Sequence, residues 1–194
     1  MKMKYWLIGL LVCGIVVMVS CDGKKFLGSP SDEKNIDSLF LGISMGMDKK
    51  AFYDYCWEMN KQKVFMHGPT NQSVEYMLAT QLNHPVSMEF YPNFYNEKIY
   101  EMPVLYSYEG WAPWNKEYSS DTLLLNLLPV YKKWYGEDFQ KLEHPVQGTV
   151  YYQMKGKRRI NLFIRDDQYV QAVFTDLKVE KEIKDKAQQE SNTK

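Results

Sequence analysis

The 194-residue sequence holds little from which to build a disulfide framework, a metal site or a nucleotide cradle. It has 3 cysteines, Cys13, Cys21 and Cys56, and no CxxC pair. The 3 histidines, His67, His84 and His144, stand in no HxxxH or HExxH spacing, so no metal site is expected. No serine occupies a GxSxG elbow, and no glycine-rich phosphate loop is present. Neither sign of charge is in excess: 24 basic and 24 acidic residues cancel, which gives nucleic acid no electrostatic reason to bind. No apolar run reaches the ~20 residues that span a bilayer comfortably. The longest, residues 5–19, is about 15 residues.

That run is nevertheless informative. Lys2 and Lys4 precede it, Ser20-Cys21 end it, and the polar Asp22-Gly23-Lys24-Lys25 follows. A charged start, a short apolar core and a small residue before a cut describe a secretory signal. Within it, Met18-Val19-Ser20-Cys21 resembles the lipobox of bacterial lipoprotein signal peptides, with Met18 in place of the usual leucine. The resemblance covers residues 1–21. It implies cleavage before Cys21, a diacylglycerol on the Cys21 sulfur, and acylation of the new amino group. The thiol is needed because sulfur is the nucleophile that takes the lipid. Two or three acyl chains hold a protein firmly where one does not, so the mature chain is expected to be anchored to a membrane of the cell envelope and not to span it. Asp22 resembles the inner-membrane retention signal of enteric lipoproteins, a rule that varies among bacteria, so either membrane and either leaflet fits. Cys13 leaves with the leader, and Cys56, on the apolar face of an expected helix, is read as a buried, inert thiol. Removing residues 1–20 takes away Lys2 and Lys4 and no acid, leaving a net charge of −2.

Behind the leader the chain divides into a flexible tether (21–36), one α+β domain (37–177) and a polar, frayed tail (178–194) in which Val179 and Ile183 share a helical face. Phe52, Tyr55, Cys56 and Met59 recur at i, i+3, i+4 and i+7, predicting a helix over 48–62 with Asp48 as its cap. A second helix is expected over 121–135, capped by Ser119, Ser120 or Asp121, broken or kinked at Pro129 and closed by Gly136. Strands are expected at 39–43, 74–80, 86–91 and 99–108, the last an edge or bulged strand because Pro103 lies inside it. The alternation of Ile160, Leu162 and Ile164, and of Val170, Ala172 and Phe174, completes a three-strand meander from 149 to 174. The order predicts helices packed on one face of an antiparallel sheet. His84-Pro85-Val86 and His144-Pro145-Val146 lie 60 residues apart, which admits two degenerate helix-plus-meander units, although chance explains one tripeptide more simply. The stretch LGISMGMDKKAF resembles the entry into the first helix of small envelope lipoproteins of the SmpA/BamE type and of the related β-lactamase-inhibitor-protein fold; no functional residue is carried over from it.

No catalytic residue and no cofactor is assigned. The carboxylates Glu75, Glu89, Glu97, Glu101, Glu109, Asp166 and Asp167 read as solvated strand and turn residues. Lys155, Lys157, Arg158 and Arg159 surround a hairpin tip, where contact with anionic headgroups competes with simple solvation. Nine aromatics crowd residues 91–118, and Trp111 and Trp114 fall in its loop. Exposed aromatics mark contacts with proteins or sugars, so Trp111 and Trp114 are the candidate ligand-binding pair. The expected partners are the membrane, through lipid, and another envelope protein; a glycan, or an enzyme activity of unrecognised type, are the alternatives.

Overall fold

The computed structural model describes residues 36–192 apart from residue 71. The expected leader, Cys21 and almost all of the expected tether lie outside them. The described chain begins with a tight hairpin, β1 (Ser38–Phe40) and β2 (Ile43–Ser44). Its turn residues Leu41 and Gly42 have φ of 48° and 78°, the double positive φ of a type I′ turn. Leucine takes that conformation at a cost of about 1 kcal/mol. Burial of the Leu41 side chain offsets the strain, and its carbonyl accepts the Tyr55 hydroxyl at 2.7 Å. A Cβ on Gly42 would lie 2.6 Å from that hydroxyl, so glycine is required twice over.

Then follow α1 (Lys49–Lys61), β3 (Met66–His67), β4 (Val74–Leu78), β5 (Val86–Phe90), β6 (Asn93–Tyr95) and β7 (Lys98–Tyr108). After a 3-10 turn at Lys116–Tyr118 come α2 (Ser120–Tyr135), β8 (Gln140–His144), β9 (Gly148–Lys155), β10 (Arg158–Ile164), β11 (Val170–Asp176) and α3 (Leu177–Asn192). Nine strands form one antiparallel sheet in the order β3-β4-β5-β7-β11-β10-β9-β8, with β6 also paired to β7. The fold is α+β, as the sequence predicts.

The order contains a repeat. A helix followed by a four-strand meander occurs twice, α1-β3-β4-β5-β7 and α2-β8-β9-β10-β11, and the last strands of the two units pair at the sheet centre. The His-Pro-Val tripeptides are not its signature. His84 lies between the second and third strands of its unit, and His144 ends the first strand of the other.

α1, α2 and the β1–β2 hairpin cover one face. Phe40 meets Phe90 and Phe174, Phe65 meets Tyr55 and Phe90, and Tyr131 meets Phe174 and Tyr135. Tyr106 and Tyr131 share a buried hydrogen bond of 2.7 Å. Their rings supply large apolar area while the paired hydroxyls avoid an unsatisfied polar group.

Four expectations change. Asp48 holds the cap position of α1 but makes no cap hydrogen bond; its carboxylate faces Lys98 Nζ at 3.5 Å. β7 is central, not an edge, but it does carry an irregularity: its register with β6 shifts between Asn93↔Glu101 and Phe94↔Ile99, which leaves Tyr100 as the extra residue. Pro103 is accommodated because the ladder with β5 ends at Val104 and that with β6 starts at Glu101, so no strand residue faces Pro103 on that side. α2 runs unbroken through Pro129. Pro129 and Leu125 both lie on its exposed side, where water can reach the carbonyl that loses its partner. The polar C-terminal segment forms helix α3, with Asp176 Oδ1 accepting from the Lys178 and Val179 amides, while Val179 and Ile183 are half-buried.

Candidate functional site

Strand geometry divides the sheet residues between two faces. Opposite the helices lie Glu75 and Met77, Ser87 and Glu89, Pro103 and Leu105, Gln171 and Val173, Asn161 and Phe163, and Val150 and Tyr152, as the registers require. α3 crosses one end of this face, held by Arg159 to Glu180 at 3.1 Å and by Tyr95 to Glu182 at 3.1 Å. The rest has no helix over it among the described residues. Phe163 is 5% exposed and Val150 4%, so apolar side chains fill positions that a solvated face would make polar. Beside them a hollow of roughly 600 Å³ is lined by Glu101, Pro103, Phe163, Arg165, Gln171 and Val173, with Val146 and Gln147 at its rim. The hollow mixes apolar side chains, Pro103, Phe163 and Val173, with polar and charged ones, Glu101, Arg165 and Gln171, a mixture that protein contact surfaces share. Glu89, on the same face, has its carboxyl raised above the usual range by burial and by Glu75, with Arg165 acting against them.

A second groove, of roughly 370 Å³, runs between α1 and β3. Tyr53, Cys56, Trp57, Asn60, Phe65 and Met66 are among its lining residues. Trp57 is 62% exposed. Cys56 is half-buried, and burial pushes its thiol up to about 12, so it remains protonated at neutral pH and is a poor nucleophile.

Trp111 and Trp114 share a loop and divide in role. Trp111 is half-buried and donates its indole N–H to the Asp167 carbonyl at 3.2 Å, which ties the loop to the β10–β11 turn. Trp114 is 84% exposed. Nearby, His84 Nε2 lies 3.0 Å from Glu117 Oε1, and its ring packs on Tyr118. His144 Nδ1 accepts the Val146 and Gln147 amides and shapes the β8–β9 turn. Arg158 is buried, with Nη1 donating to the Ile36 and Ser38 carbonyls at 3.1 and 3.0 Å. Lys157 faces Asp37 and Asp176. Two of the four hairpin-tip cations are therefore spent on holding the start of the described chain. Cys21 lies outside the described residues. Among those residues no three His, Cys, Asp or Glu side chains gather to hold a metal ion, and no helix is long and apolar enough to cross a membrane.

The inward positions of the strand alternation do not disclose the open face. Phe163, Leu105 and Val173, apolar at the alternate positions, are the signal for it. Trp57 was equally legible as an aromatic off the Phe52-Tyr55-Cys56-Met59 stripe. No family model, no curated protein and no solved structure matches the chain.

Proposed function

We propose that this chain is a non-catalytic, lipid-anchored module of a bacterial cell envelope, acylated at Cys21, that holds another envelope protein on the open face of its sheet. The reading is supported above all by the half-exposed Leu105 and Val173, next to the buried Phe163 and Val150, on a face that no helix covers along most of its length among the described residues. Exposed apolar patches with a polar rim mark contact surfaces. Ordered entry at Ile36, fixed by Arg158, gives the domain a defined attachment point for a tether. A photo-crosslinking residue at Val173 should capture one defined envelope protein in intact cells, and the same residue at Leu125, on the solvent side of α2, should not. Equal capture at both positions, or none at Val173, overturns the binding surface. Labelled palmitate should enter the chain and be lost in Cys21→Ser; an unlabelled chain overturns the anchor.

The exposure of Trp114 favours a second reading, stacking on a glycan. Trp114→Ala should then abolish retention on envelope polysaccharide, and unchanged retention removes it.

A further inference from the structure

The two edges of the sheet differ. β3 has two residues, and Gly68-Pro69 follow it. β8 has five, Gln140-Lys141-Leu142-Glu143-His144, and Gln140 to Glu143 are all exposed. Its inner side pairs with β9 from Gln140↔Tyr152 to His144↔Gly148, and its outer side has no strand partner among the described residues. An unpaired edge is a template for another strand, and proteins usually blunt it with charges that repel a second copy. Here the charges do the opposite. In an antiparallel pair centred on Leu142, Lys141 of each copy stands opposite Glu143 of the other, and Gln140 opposite His144. A parallel pair would set lysine on lysine and glutamate on glutamate.

The apolar surface points the same way. Of the eight large hydrophobic residues exposed among the described residues, Leu142, Val146 and Met154 belong to the β8–β9 hairpin. Leu142 and Met154 lie on the open face of the sheet, Leu142 opposite Val150 and Met154 opposite Arg159.

We infer that β8 is a self-association edge: two copies of this chain pair through it, antiparallel about Leu142, and join their sheets into one. The two-fold symmetry makes the contact isologous and closed, so it yields a dimer and not a fibre. The dyad sets the two Ile36 residues, each beside its own β9–β10 turn, at opposite strand ends of the joined sheet. The chain between Cys21 and the domain can reach about 50 Å when extended, so both copies can still hold one bilayer. The inference goes beyond the proposed function and stands whether or not Cys21 is acylated.

The register makes a sharp test. Directly opposed residues of an antiparallel pair have Cα atoms about 4.5–5.5 Å apart, within disulfide reach. Leu142→Cys in the full chain, oxidised in intact cells, should give a covalent dimer on a non-reducing gel; Leu125→Cys, equally exposed on α2, should not. Glu143→Lys and Lys141→Glu, each placed in the Leu142→Cys chain, should each reduce the dimer at least tenfold. Co-expressed, they should restore it, because the lysines of one copy then face the glutamates of the other. Restoration also shows that both variants fold. No dimer from Leu142→Cys, equal dimer from Leu125→Cys, or single-charge variants that dimerise as well as their parent overturns the inference.

Discussion

The two helix-plus-meander units share a topology and differ in how firmly their helices are packed. α2 buries Leu123, Leu124, Leu127, Tyr131 and Tyr135 along one stripe, whereas α1 buries Phe52 and leaves Tyr55, Cys56 and Met59 half-exposed. The difference has a structural consequence on each side. Behind α2 the tyrosines interlock with Phe174 and with Tyr106 across the sheet. Beside α1 the packing stops short, and the shortfall is the groove where Trp57 and Met66 meet solvent. A repeated topology thus fixes where a helix lies without fixing how much surface it buries, and the less buried unit keeps apolar surface free for contacts.

The largest test of this contrast is alkaline pH. Tyr106, Tyr131 and Tyr135 are buried, and burial holds all three hydroxyls well above the ordinary value of 10.0. In the unfolded chain they ionise near that value, so the unfolded state releases protons that the folded state retains. Their contribution is intact below about pH 10 and is lost as pH rises further, by up to about 1.4 kcal/mol per pH unit for each tyrosine. The urea midpoint should be flat from pH 8 to 9.5 and fall steeply above 10. A midpoint unchanged at pH 11 would mean that the core around α2 is already open to water.

Truncation compares the helices directly. Tyr131→Ala leaves a cavity in a close-packed core and should cost about 3–5 kcal/mol by urea denaturation. Met59→Ala, at a half-exposed site on α1, should cost less than about 2 kcal/mol. Equal losses would erase the contrast. A finer probe is the shared hydrogen bond: Tyr106→Phe or Tyr131→Phe strands the other hydroxyl and should cost about 1–3 kcal/mol. The double variant removes both polar atoms, so its cost should fall short of the sum of the two.

These contrasts bear on what the residues alone disclose. The α2 stripe, the 149–174 meander and the α+β class were legible because apolar spacing sets them locally. Three features were not. Pro103 argued for an edge because a proline's missing N–H says nothing of the neighbouring strand's end, which is a long-range fact. β6 and β8 were overlooked because Asn93–Tyr95 is too short for a pattern and Gln140–His144 has one apolar residue. Lys157 and Arg158 read as solvated because sequence cannot show that Asp37 and the Ile36 and Ser38 carbonyls fold back onto them. Of the site, Trp111 and Trp114 were visible as aromatics in a loop, but their division into a tied and a free indole depends on the Asp167 carbonyl, far along the chain.

The smallest expected effect concerns the helix starts. Both helices begin after a residue suited to cap them, Asp48 for α1 and Ser119 for α2. Ser119 Oγ accepts the Thr122 amide at 3.4 Å, whereas the Asp48 side chain turns to Lys98 and accepts no first-turn amide. The Lys49 amide, at the first helical position, donates to the Glu97 carbonyl at 2.8 Å, a backbone bond that no side-chain substitution removes. Ser119→Ala should therefore cost about 1 kcal/mol. Asp48→Ala loses an exposed ion pair and should cost less than about 0.5 kcal/mol, less still at high salt. The two values, read from urea midpoints, should differ in that order. An Asp48→Ala loss as large as that of Ser119→Ala would mean that the carboxylate caps α1 in solution, and that the loosely packed unit is held at its helix start as firmly as the other.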